Sequence, residues 1–328
     1  MTPLALLAAL LPSDHHAETP AAEGWPLMGE YIAITLVGQE KRLAQGAQIR
    51  AIPDDEDGRR RYELVSHLGG LPGFSTLPTL IDGKTDTSVE QPQVGATGQP
   101  NAPRAIFTAD DIAASVLPRY MRVERVSPTM GQQPPKNATV LFGDAGDPLD
   151  AWADAERLDG YLKSGATTKQ SFGDARVHLE FRIPFQPDKL DAWRGNSGVY
   201  LQQRYEVQIL ESFGDVIREN GCGSIYRTHT PPVNACLPPG RWQTLDLDFR
   251  AARFDEEKTD GKKTGGEKTA DATLSVTLNG ITLFEDAAIP ATTGGATQEE
   301  SPEPGPIYLQ DHGDPVVYRN VWVVERSE

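Results

Sequence analysis

Apolar residues recur at every second position through most of this chain, the spacing of strands that bury one face. In the first third the pattern predicts strands over residues 30–36, 47–52, 61–65, 104–107 and 120–126, with one short helix near 109–115. Further on it predicts strands over 139–142, 176–183, 197–202, 205–210, 223–226, 243–249, 272–278, 281–284, 306–310 and 316–324. Short strands between turn signals, with almost no helical periodicity, predict an all-β protein of sandwich or jelly-roll type. Between the two sets, Ser127-Pro-Thr-Met-Gly-Gln-Gln-Pro-Pro-Lys-Asn137 has a linker's composition, since proline disfavours both helix and central strand. The expected division is a tail over 1–23, a small accessory β domain over 24–126, a linker over 127–137 and a jelly-roll catalytic domain over 138–328.

The polar positions of three strands carry the candidate chemistry. In the hairpin from Gly195 to Gly214, Val199, Leu201, Val207 and Ile209 share one parity, while Tyr200, Gln202, Glu206 and Gln208 occupy the other around a turn at Gln203-Arg204. A hairpin that only packs has no need of a carboxylate and two amides on one face. Arg176-Val-His-Leu-Glu-Phe-Arg-Ile183 alternates likewise, with His178, Glu180 and Arg182 opposite Val177, Leu179, Phe181 and Ile183. Ile307-Tyr-Leu-Gln-Asp-His-Gly313 adds Tyr308, Gln310 and His312. If the apolar parities share a core, the three polar stripes are expected to converge on one concave face.

Each residue also has a plainer reading. Glu180 and Arg182 read equally as an exposed cross-strand pair worth under about 1 kcal/mol, His178 as a structural or surface histidine, and Trp242 and Trp322 as core filling. Glu206 and Gln208, flanked by apolar residues in a central hairpin, resist that reading. His312 stands at a loop-like strand end, where an imidazole titrates and reaches a ligand. Gly195, Asn196 and Gly198 shape the hairpin entry, glycine permitting close approach.

Composition narrows the partners. With 328 residues the chain is long enough for two domains, and a formal charge of −16 excludes nucleic acid and anionic membranes as natural partners. The apolar run Pro3-Leu-Ala-Leu-Leu-Ala-Ala-Leu-Leu11 is signal-like without a basic flank, which leads us to expect a periplasmic or secreted protein. No stretch reaches the roughly 20 apolar residues of a transmembrane helix. Cys222 and Cys236 are read either as a bridge closing a loop of about 15 residues, worth about 3 kcal/mol, or as two buried thiols. The charged run 254–271 is expected to be a solvated hairpin loop between two strands, and 292–304 a similar loop.

Several motifs in order complete the sequence reading: Phe172-Gly-Asp, His178-Leu-Glu-Phe-Arg182, Gly195-Asn-Ser-Gly-Val-Tyr200, Tyr205-Glu-Val-Gln-Ile-Leu210, Cys222-Gly-Ser-Ile-Tyr226, Pro238-Pro-Gly-Arg-Trp-Gln243, Leu278-Asn-Gly280, Tyr308-Leu-Gln-Asp-His312 and Arg319-Asn-Val-Trp322. Together they resemble the 3-keto-disaccharide hydrolase family across roughly residues 138–325. The resemblance implies a concanavalin-like jelly roll acting on glycosides whose sugar carries a C3 ketone, with carbohydrate as the partner. Such a ketone acidifies the C2 proton, so a carboxylate or histidine can remove it. On that chemistry Glu206 and His312 are the expected acid and base, and Glu180 a metal ligand or second base. Gln208, Gln310, Asn196, Tyr226, Tyr200 and Arg182 are the expected sugar contacts. A divalent cation held by Glu and His is an open option for polarising the ketone. A non-catalytic, lectin-like module is the alternative from another class, and a conventional two-carboxylate glycosidase is a third.

Overall fold

The structure is a computed structural model that describes residues 25–37, 41–68, 71–73, 80–81, 84–85, 104–116, 118–189, 193–259 and 262–326. The signal-like stretch and most of the polar run from 74 to 104 lie outside the described residues. Among the described residues no helix is long and apolar enough to cross a membrane.

The N-terminal part contains β1 (Gly29–Val37), β2 (Lys41–Ile52), β3 (Arg61–Leu68), the two-residue strands β4 (Leu80–Ile81) and β5 (Lys84–Thr85), β6 (Arg104–Thr108), helix α1 (Ala109–Ser115) and β7 (Met121–Val123). Five of these strands form one antiparallel sheet in the order β6-β3-β2-β1-β7. Helix α1 begins at a capping box: the Thr108 hydroxyl accepts the Asp111 N–H, and the Asp111 carboxylate accepts the Thr108 N–H.

The rest of the chain is a jelly-roll sandwich. Its strands are β8 (Thr139–Phe142), β9 (Trp152–Ala153), β10 (Arg157–Leu158), β11 (Tyr161–Lys163), β12 (Thr167–Phe172), β13 (Ala175–Arg182), β14 (Ser197–Leu201) and β15 (Tyr205–Ile209). They continue with β16 (Trp242–Arg250), β17 (Arg253–Thr259), β18 (Lys262–Ala270), β19 (Ala272–Leu278), β20 (Ile281–Ile289), β21 (Gly305–Leu309) and β22 (Val317–Glu325). The larger sheet runs β10-β11-β22-β13-β16-β19-β20, with β8 also on β22, and the smaller runs β15-β14-β21-β12-β9. One expectation changes in detail: residues 223–226 form no strand, Ile225 making only isolated bridges to Val207 and His229. The charged run after Phe254 is a hairpin as expected, its arms paired as β17 with β18.

Both sheets turn their apolar parity inward. Val177, Leu179 and Phe181 of β13 and Leu245, Leu247 and Phe249 of β16 join Val199 and Leu201 of β14 and Val207 and Ile209 of β15 in one core. Each such side chain contributes about 1.5–3 kcal/mol on burial. The consequence for the polar parities is decisive. Strand β13 belongs to the larger sheet and β14, β15 and β21 to the smaller, so their outward stripes point away from each other. The predicted convergence of His178, Glu180 and Arg182 with Glu206 therefore does not occur.

The segment read as a linker is strapped across the larger sheet. Ser127 Oγ lies 2.6 Å from Thr244 Oγ1, and Thr129 Oγ1 donates to Asp246 Oδ2 at 2.8 Å. The Gly131 N–H donates to Glu180 Oε1 at 2.6 Å, and Asn320 Nδ2 to the Gln132 carbonyl at 3.0 Å. These bonds supply the partners of the buried Thr244 hydroxyl and add donors to Asp246 and Glu180, which also bond His178, Arg319 and Asn320.

Candidate active site

The outward face of the smaller sheet holds the groups that the sequence brings forward. Tyr200 of β14 lies opposite Glu206 of β15 on one side and Tyr308 of β21 on the other. Two residues along, Gly198 lies opposite Gln208, and its carbonyl accepts the Gln310 N–H at 2.8 Å. Successive rows on one face are spaced by about 7 Å. In the next row, the Asn196 N–H donates to Asp314 Oδ2 at 2.9 Å, which draws the loop carrying His312 to this end of the sheet.

Glu206 is the centre of the face. Its side chain is buried, at 2% exposure, and its Oε2 accepts the Tyr200 O–H at 2.6 Å. Its other oxygen lies over Gly198, where any β-carbon would collide with it, so glycine at 198 is what admits the carboxylate. Among the described residues no ion pair joins it to a cation. Burial pushes its pKa up to about 7, with the Tyr200 hydrogen bond pulling in the opposite direction.

Burial, and after it the neighbouring charge of Glu206, raises the Tyr200 pKa and keeps the phenol protonated. The phenol oxygen also lies 2.9 Å from the Gly294 carbonyl and accepts from Gln310 Nε2 at 3.3 Å. One phenol proton cannot serve both Glu206 and Gly294. An ionised Glu206 draws it, whereas a protonated Glu206 can donate to Tyr200 and leave the phenol proton for Gly294. Both charge states of the carboxyl are thus accommodated by rotating one hydroxyl.

Two loops wall this face. Thr293 Oγ1 accepts the Glu206 N–H at 2.9 Å, and Gly294 and Gly295 pass so close to the Tyr226 and Tyr200 rings that a β-carbon at either would crowd them. The 292–304 run is largely exposed, as expected of a solvated loop, but its start is anchored at the site through the buried Thr293. Tyr226 stands in the second wall, its N–H donating to the Glu206 carbonyl at 3.0 Å. The hairpin turn has Gln202 and Gln203 at φ 56° and 54°, closed by the Arg204 N–H to the Leu201 carbonyl at 3.0 Å. Its centre is one residue earlier than predicted. Gln202 consequently leaves the ligand face and donates to the Phe172 carbonyl at 2.9 Å.

The other predicted residues divide. Gln310 meets the Tyr200 hydroxyl and Tyr226 the Glu206 backbone. Gln208 Nε2 donates to Asn196 Oδ1 at 2.9 Å, the Ser197 carbonyl at 2.8 Å and the Ile209 carbonyl at 2.9 Å, so these two amides brace the floor. His312 is exposed at the rim, its ring centroid 5.8 Å from that of Trp193. Trp193, 68% exposed, is a residue that sequence reasoning missed; an aromatic in an irregular run, with no periodicity to place it, gives little signal.

Glu180 and Arg182 are corrections. Glu180, 1% exposed, accepts from Arg319 Nε at 2.7 Å, Asn320 Nδ2 at 3.0 Å and the Gly131 N–H, all on the far side of the sandwich. Arg182 lies over the Tyr161 and Trp242 rings, 5.3 and 5.1 Å from their centroids. His178 Nδ1 meets Asp246 Oδ1 at 2.6 Å, and its ring stacks on Trp322 at 4.9 Å. These residues tie the strap and the larger sheet together. Cys222 and Cys236 are buried free thiols. Among the described residues no group of three or more His, Cys, Asp or Glu side chains is placed to hold a metal ion, and Glu180 is too committed to serve as a ligand beside Glu206.

Residues 137–324 match the family model described as 3-keto-alpha-glucoside-1,2-lyase-like domain. A solved structure from Parabacteroides distasonis, provisionally described as a glycosyl hydrolase, is 33% identical with a TM-score of 0.50, over 58% of this chain and 85% of that one. Two others from the same organism, described in the same way, are 16% and 20% identical with TM-scores of 0.40 and 0.37, each over 58% of this chain and over 95% and 99% of their own. No curated protein sequence matches the chain.

Proposed function

Since the chain belongs to the 3-keto-alpha-glucoside-1,2-lyase-like domain family, we propose that it is a glycosidic-bond hydrolase acting on 3-keto-disaccharides or other 3-keto-glycosides. The observation that carries this reading is the state of Glu206: a buried carboxyl with a pKa near 7, held by one phenol O–H on a walled sheet face. A base of that strength suits removal of a proton acidified by an adjacent ketone at neutral pH. The description of the 33% identical relative as a glycosyl hydrolase supports the coarser part of the reading.

The residues then take these roles. Glu206 accepts the C2 proton as the C2–H bond breaks, and the electron pair moves into the C2–C3 bond, placing charge on the C3 oxygen. The Tyr200 hydroxyl, and the amide of Gln310 that bonds it, are the donors available to that oxygen. Collapse of the enediolate forms the C1–C2 double bond and expels the leaving group from C1, with His312 at the rim as its proton donor. Water then adds across the double bond, hydroxyl to C1 and proton to C2, which completes net hydrolysis. No step is routed through a cation, because the donors around Glu206 do not make a metal site.

The test is a panel of 3-keto-disaccharides and their unoxidised parents, incubated in deuterium oxide with the wild-type protein and with Glu206→Gln, with and without chelator. The expected result is cleavage of the keto sugars alone, deuterium appearing at C2, loss of both in Glu206→Gln, and no effect of chelator. Equal cleavage of the parent sugars would indicate a conventional glycosidase. Binding of either sugar without cleavage would leave the lectin-like reading.

A further inference from the structure

The rim beyond Asn196 carries an aromatic that neither the core nor the reaction above uses. An isolated exposed apolar side chain needs no explanation, but Trp193 differs in how it is mounted. The next residue, Arg194, is buried and ion-paired with Glu211. The Glu211 N–H donates back to the Arg194 carbonyl at 3.2 Å, and the Gly195 N–H donates to Gln186 Oε1 at 3.0 Å. The indole is thus an exposed ring adjoining a fixed backbone. On its other side is His312, with the two rings tilted at 55°.

Its place relative to Glu206 follows from the strand order. From the Tyr200–Glu206 row β14 passes Gly198 and begins at Ser197; Asn196 lies just before it, and Trp193 is tied to this end by its contact with His312, two residues after Gln310, whose N–H bonds the Gly198 carbonyl. With rows spaced by about 7 Å, a substrate laid along the strand from Glu206 toward this end would bring its second ring to the Trp193 rim. If the keto sugar occupies Glu206, as the proposed function requires, it is the terminal residue of the substrate. Its neighbour is then the leaving group.

We propose that Trp193, with His312 beside it, forms the leaving-group subsite: a stacking platform for the sugar or other ring attached at C1 of the keto sugar. The apolar face of a pyranose, or an aromatic aglycone, packs on the indole, with the imidazole at its edge. This inference rests on the proposed function for its direction, but the stacking itself is separable from turnover.

The experiment compares wild type, Trp193→Phe and Trp193→Ala on a 3-keto-disaccharide and on the methyl 3-keto-glucoside, whose leaving group has no ring. In Trp193→Ala the ratio of kcat/KM for the disaccharide to that for the methyl glycoside is expected to fall about tenfold, the effect of losing one ring contact. The change should appear mainly in KM, and Trp193→Phe should restore most of it. An unchanged ratio overturns the inference. A second arm does not need turnover: Glu206→Gln is titrated with the parent disaccharide while tryptophan emission is followed. Trp193 should dominate the response, and Trp193→Ala in that background should weaken binding about tenfold by the same contact. Binding that Trp193→Ala leaves intact overturns the platform. If the wild-type protein cleaves no keto-glycoside, the proposed function fails and this titration still decides whether Trp193 holds a sugar.

Discussion

The two outward faces of the sandwich each bury a glutamate, and they use it in opposite ways. On the larger sheet Glu180 is surrounded by Arg319, the Asn320 amide and the Gly131 N–H. On the smaller sheet Glu206 has a phenol and no cation among the described residues, and burial raises its pKa to about 7. Similar exclusion from water thus produces a clamp in one place and a carboxyl that titrates near neutrality in the other. What differs is the number and charge of the donors. Burial of a carboxylate is therefore no sign of function until its partners are counted.

Substitutions can break this comparison. The largest effect is expected from Glu206→Gln, which should lower kcat by about a thousandfold or more, the upper range for loss of a general base, measured on a 3-keto-glycoside. The same change should stabilise the protein at alkaline pH. The folded pKa of Glu206 lies above its usual value, so the folded state holds an extra proton between about pH 4.5 and 7, and stability falls across that window by on the order of 3 kcal/mol. Urea unfolding at pH 5 and pH 8 should show the fall in wild type and a smaller one in the variant.

Next in size is Glu180→Ala, which leaves Arg319 unpaired and should cost about 3 kcal/mol of stability. Turnover per folded molecule should be largely retained. A greater loss of turnover than of fold would move Glu180 into the chemistry and erase the contrast. Tyr200→Phe is expected to be smaller still, slowing turnover at pH 7 about tenfold through loss of a charge-assisted hydrogen bond. Wild-type activity should rise with pH through about 7 as Glu206 ionises. Without the phenol that rise should move to higher pH, so a profile that stays in place counts against the pairing.

Much of this was legible in the chain. The strands at Thr139–Phe142 and Ala272–Leu278 and helix Ala109–Ser115 stand where the periodicity predicts them. The facing of Tyr200, Glu206, Tyr308 and Gln310 also follows from parity. Parity, however, tells which side of a strand a residue takes and not which sheet the strand joins. That choice was made for β13 by pairing with β16 and β22, which lie far off in sequence, and it removed Glu180 and Arg182 from the site. Strands of two or three residues, such as β9, β10 and β11, offer too few positions for any period to show. The anchoring of the exposed Gly294-Gly295 loop at the site is not legible because its bonds are made by backbone and one threonine, which leave no hydrophobic trace.

The strap over the larger sheet sets where the sandwich can be cut. The family match begins at residue 137, but the hydroxyls and amides that cover Thr244, Asp246 and Glu180 come from Ser127, Thr129 and Gly131. A chain starting at the family boundary would keep every strand of both sheets but leave the Thr244 hydroxyl without its side-chain partners and Glu180 with Arg319 and Asn320 alone. The mechanical edge of this unit thus lies about ten residues upstream of its evolutionary one, counted from Ser127.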